Sequence, residues 1–116
     1  MRKFNLADSA ARAEGARFMD VWLGPESPFF HVAVHVWERK GEEWPLHNHP
    51  QDELFYYAEG EVLVSVEEEG EVVQEVVPPG SWVFVPGGVR HGARNVGQSR
   101  SVIMTFNSPN LGWREE

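Results

Sequence analysis

Apolar positions in this chain come in short runs rich in valine, phenylalanine and tryptophan, each cut off by glycine or proline. That punctuation is the pattern of an all-β barrel or sandwich. Residues 16–23 read as a strand, and Gly24-Pro25-Glu26-Ser27-Pro28 turns the chain. The segment 29–37 follows, with Phe30, Val32, Val34 and Val36 on one face and His31, Ala33, His35 and Trp37 on the other. Residues 53–58 make a further strand ended by Gly60, and 61–66 alternates with Val62, Val64 and Val66 in phase. Glu67-Glu68-Glu69-Gly70 is expected to be a hairpin tip whose charges discourage edge pairing. Residues 72–77 run back to a turn at Pro78-Pro79-Gly80, and 82–85, 89–96 and 101–106 complete the strands. Only 8–14 reads as helical, a turn or two capped by Asp8. So many strands in so short a chain bury themselves better in a closed or double-sheet arrangement than in one flat sheet. The expected fold is all-β with little or no helix, in one domain over residues 1–116.

Composition narrows the chemistry. A chain of 116 residues suits a single domain with a true core. It holds no cysteine, which excludes disulfides and thiolate metal sites. Any metal must then be held by imidazole nitrogen and carboxylate oxygen, a set that suits Fe, Mn, Ni, Zn, Co or Cu. The formal net charge of -8 repels phosphate backbones and anionic membranes, so no nucleic acid and no membrane partner is expected. The first eight residues lack the apolar centre of a signal peptide, and no run approaches a membrane span. These readings give the expectation of a cytoplasmic protein. No phosphate loop, dinucleotide fingerprint or nucleophile elbow is present.

Histidines supply the distinctive chemistry. His47 and His49 are one residue apart, so on a strand both rings project from one face. Pro50-Gln51-Asp52 then turns the chain and brings Glu53 to the head of the next strand, although parity across a turn does not fix its direction. His91 follows Pro86-Gly87-Gly88 at the start of another strand, and in a barrel those strand beginnings can converge.

Two stretches resemble the paired motifs of the cupin superfamily. Residues 41–60 read Gly41, five residues, His47-Asn48-His49, three residues, Glu53, six residues, Gly60. Residues 80–95 read Gly80, five residues, Pro86, one residue, Gly88, two residues, His91, three residues, Asn95. The resemblance implies a small single-domain cupin, a jelly-roll-like double-stranded β-helix. It implies one divalent transition metal held by His47, His49, Glu53 and His91, with coordination positions left open for a ligand. Gly60, Gly80 and Gly88 are expected in sharp turns with positive φ. Asn95 shares a strand face with His91 and is expected to hydrogen-bond near the site or the barrel wall.

Phe55 and Tyr57 share the parity of Glu53 and are expected inside the barrel beside the metal, Tyr57 as a hydrogen-bond donor to substrate. Trp44, where oxalate-active cupins often carry arginine, argues for an apolar or aromatic substrate. His31 and His35 are expected on a partly exposed face or subunit contact, with an added ligand or substrate role as the alternative. Trp82, Phe84, Met104 and Phe106 are expected in the core. Arg90 and Arg94 should face away from the metal. The function implied is a metal-dependent enzyme on a small organic molecule, dioxygenase- or oxidoreductase-like. The alternatives are a non-catalytic binding or sensing module and a metal-dependent isomerase or lyase. A homodimer is expected, with residues 107–113 either anchoring on the partner or covering the barrel.

Overall fold

Alternation in the sequence becomes strand in the structure, a computed structural model that describes residues 1, 3–23, 27, 29 and 31–108. Among these residues one helix, α1 (Leu6–Ala13), precedes nine strands: β1 (Phe18–Leu23), β2 (His31–Trp37), β3 (Glu43–His47), β4 (Glu53–Glu59), β5 (Val62–Glu68), β6 (Glu71–Val77), β7 (Ser81–Val85), β8 (His91–Asn95) and β9 (Ser101–Asn107). They form two antiparallel sheets, ordered β1-β2-β9-β4-β7 and β3-β8-β5-β6. The two inner faces meet in one core, where Phe55, Tyr57, Val85 and Ile103 of the first sheet pack with Val62, Val64, Val77 and Ala93 of the second. This is the jelly-roll sandwich expected of a cupin. The anticipated turn at 24–28 and Phe30 fall mostly outside the described residues, as does the tail from 109 with Trp113.

The helix lays Ala10 and Ala13 on Val34, Val36 and Val102, so β2 is buried on both sides. Its cap is Asn5, not Asp8 as expected. Asn5 is extended, and its side-chain oxygen accepts from the Asp8 N–H, which moves the start of the helix upstream to Leu6. Strand β3 was not anticipated, because Pro45 interrupts the pattern. The proline is tolerated there because β3 is an edge strand whose pairing with β8 is broken between Trp44 and His47. At the β5–β6 hairpin Glu69 (φ 52°) and Gly70 (φ 82°) both lie in the left-handed region, which a two-residue primed turn requires.

Trp82 and Phe84 are not core residues: each is 58% exposed on the outer face of the five-stranded sheet. Their strand alternates, and it is Val85 that reaches the interior. Phe106 stays half-buried on that outer face beside Trp82, and Met104 packs against the cluster under the helix. No helix among the described residues is long and apolar enough to cross a membrane.

Candidate metal centre

Strand register assembles the site from one layer of each sheet. His47, the last residue of β3, pairs with His91, the first of β8, which pairs in turn with Val66. In the facing sheet His31, Asn107, Glu53 and Val85 lie side by side on β2, β9, β4 and β7. His49 is not on a strand, contrary to the same-face argument; it stands in the loop after β3. That loop is laced to the segment before His91. The Gly88 N–H donates to the His49 carbonyl at 2.8 Å, and the Gly87 N–H donates to Asp52 Oδ1 at 2.7 Å. Gly87 must be glycine, since a Cβ there would lie 2.1 Å from the Pro50 carbonyl oxygen.

The three imidazoles converge. One ligand atom from each of His47, His49 and His91 lies within 4.8 Å of the others. Each ring places Nδ1 on a backbone carbonyl: Pro45 at 2.7 Å for His47, Gln51 at 3.0 Å for His49 and Val89 at 2.8 Å for His91. A carbonyl only accepts, so each Nδ1 carries the proton and each neutral ring keeps its lone pair on Nε2. This is the outer arrangement that metal-binding histidines require, so the donor set fits a transition-metal ion. Sequence alone does not show these carbonyl partners, because two of the three sit in loops.

Glu53 Oε1 lies 2.9 Å from His49 Nε2 and 3.3 Å from His91 Nε2. Burial works to raise its pKa, but hydrogen bonds from His91 and His49 and their charge outweigh it and hold the carboxyl below its usual range. Burial likewise opposes charge on His91, yet hydrogen bonds to Glu53 and the Val89 carbonyl carry its pKa upward. Without a metal the carboxylate therefore favours a proton on His91 that a cation would displace.

Beside the cluster is a cavity of about 170 Å³ whose walls include Trp44, Phe55, His31, His35 and Asn107. The two β2 histidines line this cavity and stay half-buried, on the partly exposed face expected of them, because Val34 and Val36, at the opposite parity, take the helix. Burial, partly offset by the charge of Glu53, lowers the His35 pKa to about 4, so the ring is neutral. Its Nε2 is 3.4 Å from Thr105 Oγ1, and it stacks on Phe18 and meets Trp44 edge-on. A wider groove of about 600 Å³ between the edge strands β1 and β3 shares His31, His35 and Trp44 with the cavity and reaches the surface past Phe18 and Glu43.

Tyr57 is buried inside the barrel as its parity implied, but it sits deeper, stacked on Phe55, and the cavity lining stops at Phe55. Burial, with the charge of Glu53, raises its pKa well above the usual phenol value. Asn95 is fully buried at the far end of β8. It accepts from Ser101 Oγ and the Gly97 N–H and donates to the Arg39 carbonyl, so it ties loops together away from the metal residues. Arg90 pairs with Glu67 and Arg94 is exposed, both directed away from the cluster. Asn107 was not singled out as a site residue. The signal for it is the inward parity of β9, where Ser101, Thr105 and Asn107 place polar groups among buried positions.

A family model described as Cupin domain matches residues 35–106. No curated protein matches the chain. Among solved structures, TT1209 from Thermus thermophilus is similar at 26% identity and TM-score 0.73, over 94% of this chain and 98% of that one. Oxalate oxidase in complex with the substrate analogue glycolate is similar at 27% identity and TM-score 0.61, over 71% of this chain and 43% of its own. The oxalate decarboxylase of Bacillus subtilis, a protein with Mn(II) centres, shares the fold at 18% identity and TM-score 0.59, over 72% of this chain and 22% of its own. The chain therefore spans less than half the length of either oxalate enzyme.

Proposed function

The chain belongs to the cupin domain family, and we propose that it is a metal-dependent oxidoreductase, dioxygenase-like, acting on a small organic molecule. One divalent transition metal, from among Fe, Mn, Ni, Zn, Co and Cu, is held by His47, His49, His91 and Glu53. The observation that carries this reading is the convergence of three imidazoles, each with Nδ1 on a backbone carbonyl, beside a cavity with room for a ligand. The similarity to oxalate oxidase supports an oxidative chemistry. Oxalate itself is not the substrate proposed. Among the described residues the cavity lining holds no lysine or arginine, and Arg17 in the outer groove is paired with Glu42 at 3.1 Å. Beyond the metal's own charge, a small dianion would find no side-chain cation to hold its second carboxylate.

The metal supplies Lewis-acid polarisation of a ligand oxygen or, when redox-active, electron transfer. The chain's own residues do the rest. Glu53, held ionised by its imidazole neighbours, would complete the donor set with the one negative charge that three neutral imidazoles lack. Trp44 and Phe55 wall the cavity against water and orient a flat ligand. Neutral His35 offers a hydrogen bond without adding charge. Tyr57, proposed from sequence as a catalytic donor, acts instead through the ring it packs against.

The test is oxygen uptake by the metal-loaded protein with small aromatic and hydroxylated substrates. Uptake should depend on the metal and disappear in His91→Ala. Turnover that persists without air would favour an isomerase or lyase, and tight binding without chemical change a sensing module. We also propose a homodimer, supported by the exposed Trp82 and Phe84 on the outer sheet face. Light scattering should give twice the chain mass for the wild type and the single mass for a Trp82→Glu, Phe84→Glu double variant.

A further inference from the structure

Asn107 ends β9 between His31 on β2 and Glu53 on β4, in register with both. Its side chain lines the metal cavity and the residue is only 5% exposed, yet among the described residues its Oδ1 has no hydrogen-bond partner. A buried acceptor left unpaired is unfavourable, and native interiors seldom keep one without use. The neighbouring Glu53 carboxylate cannot relieve it, since that group is itself an acceptor. The open volume is therefore where a donor must come from.

From this geometry we infer that Asn107 is the specificity residue of the site, accepting a hydrogen bond from a hydroxyl on a neutral planar ligand that bears two adjacent oxygens. The inference rests on the metal-site reading for the second oxygen, which turns toward the imidazole cluster. Three further observations set the ligand class. Trp44 and Phe55 pack on each other, centroids 5.8 Å apart and planes tilted by 45°, and together present an aromatic wall to the cavity. The cavity of about 170 Å³ is of the size that accepts one six-membered ring. Apart from the metal, the lining includes a carboxylate and, among the described residues, no lysine or arginine, so the wall around Asn107 suits a neutral donor.

Catechol and 1,2-dimethoxybenzene, the same ring with both donors blocked, separate these ideas by titration calorimetry. Metal-loaded wild type should bind catechol. Asn107→Leu should weaken that binding roughly tenfold, the effect of one lost hydrogen bond. The bound metal should be unchanged, and 1,2-dimethoxybenzene should not distinguish the two proteins. Where the leucine variant does not fold, Asn107→Val, β-branched and smaller, carries the same comparison. Equal catechol affinity in variant and wild type overturns the inference, as does loss of the metal on substitution or failure of the metal-loaded wild type to bind catechol. Catechol binding that is the same with and without metal overturns the metal reading instead, and a weakened variant would still uphold the amide's role.

Discussion

Two histidines on different strands show how surroundings divide the work of one residue type. His91 meets a carboxylate and a carbonyl and is ready to be charged or metal-bound, whereas His35 is buried among rings and stays neutral. The His35 pKa falls from 6.5 in the unfolded chain to about 4 in the folded one, so as pH drops through that window the unfolded state takes up a proton that the folded state refuses. Stability contributed by the neutral ring is present above pH 6.5 and is lost down to pH 4, by roughly 3 kcal/mol over the interval. Urea melts of metal-free wild type and His35→Phe should therefore diverge, the wild type losing about that much more than the variant. Parallel declines would show that burial does not hold the ring neutral. At Glu53, substitution by glutamine keeps the shape but removes the charge. Metal affinity by calorimetry should fall at least about tenfold while the fold persists. Unchanged affinity would remove the carboxylate from the ligand set.

Elements bring these side chains together only where their ends are pinned. The loop bearing His49 and the turn before His91 share the bonds from Gly87 and Gly88, and Gly87 is where the chains come closest. Gly87→Ala should force them apart, with a loss of roughly 1–3 kcal/mol in a denaturant melt and weaker metal binding. A neutral result would mean that the loop yields without disturbing His49. The glycines of the two motifs were legible in sequence: Gly60, Gly80 and Gly88 all take positive φ, at 92°, 87° and 86°. The candidates His47, His49 and His91, which the structure brings together, were legible too, because their spacing is local within each motif. Asn107 was not legible as a cavity residue, and His31 and His35 were so only as an alternative. Their place there depends on β2, β9 and β4 lying side by side, a pairing between segments up to 76 positions apart that no local pattern encodes. Strand β3 was hidden by Pro45, and the exposure of Trp82 and Phe84 by a rule that large apolar residues are buried.

At the scale of the molecule, two sheets enclose a core at one end and open at the other, where a layer of polar side chains replaces the apolar ones. The groove between β1 and β3 exists because both are edge strands, and it gives the cavity a route to solvent past Phe18 and Trp44. Cupin folds carry many activities, so the fold alone does not choose among them; the site must. The account therefore stands on a metal ion at the meeting point of the two sheets. A crystal of the protein grown without chelator, measured at the absorption edges of the candidate metals, tests this most directly. An anomalous peak at bonding distance from Nε2 of His47, His49 and His91 is the result predicted. Anomalous density confined to other parts of the surface, with His49 and His91 still bonded to Glu53 and all three rings to their carbonyls, would contradict it.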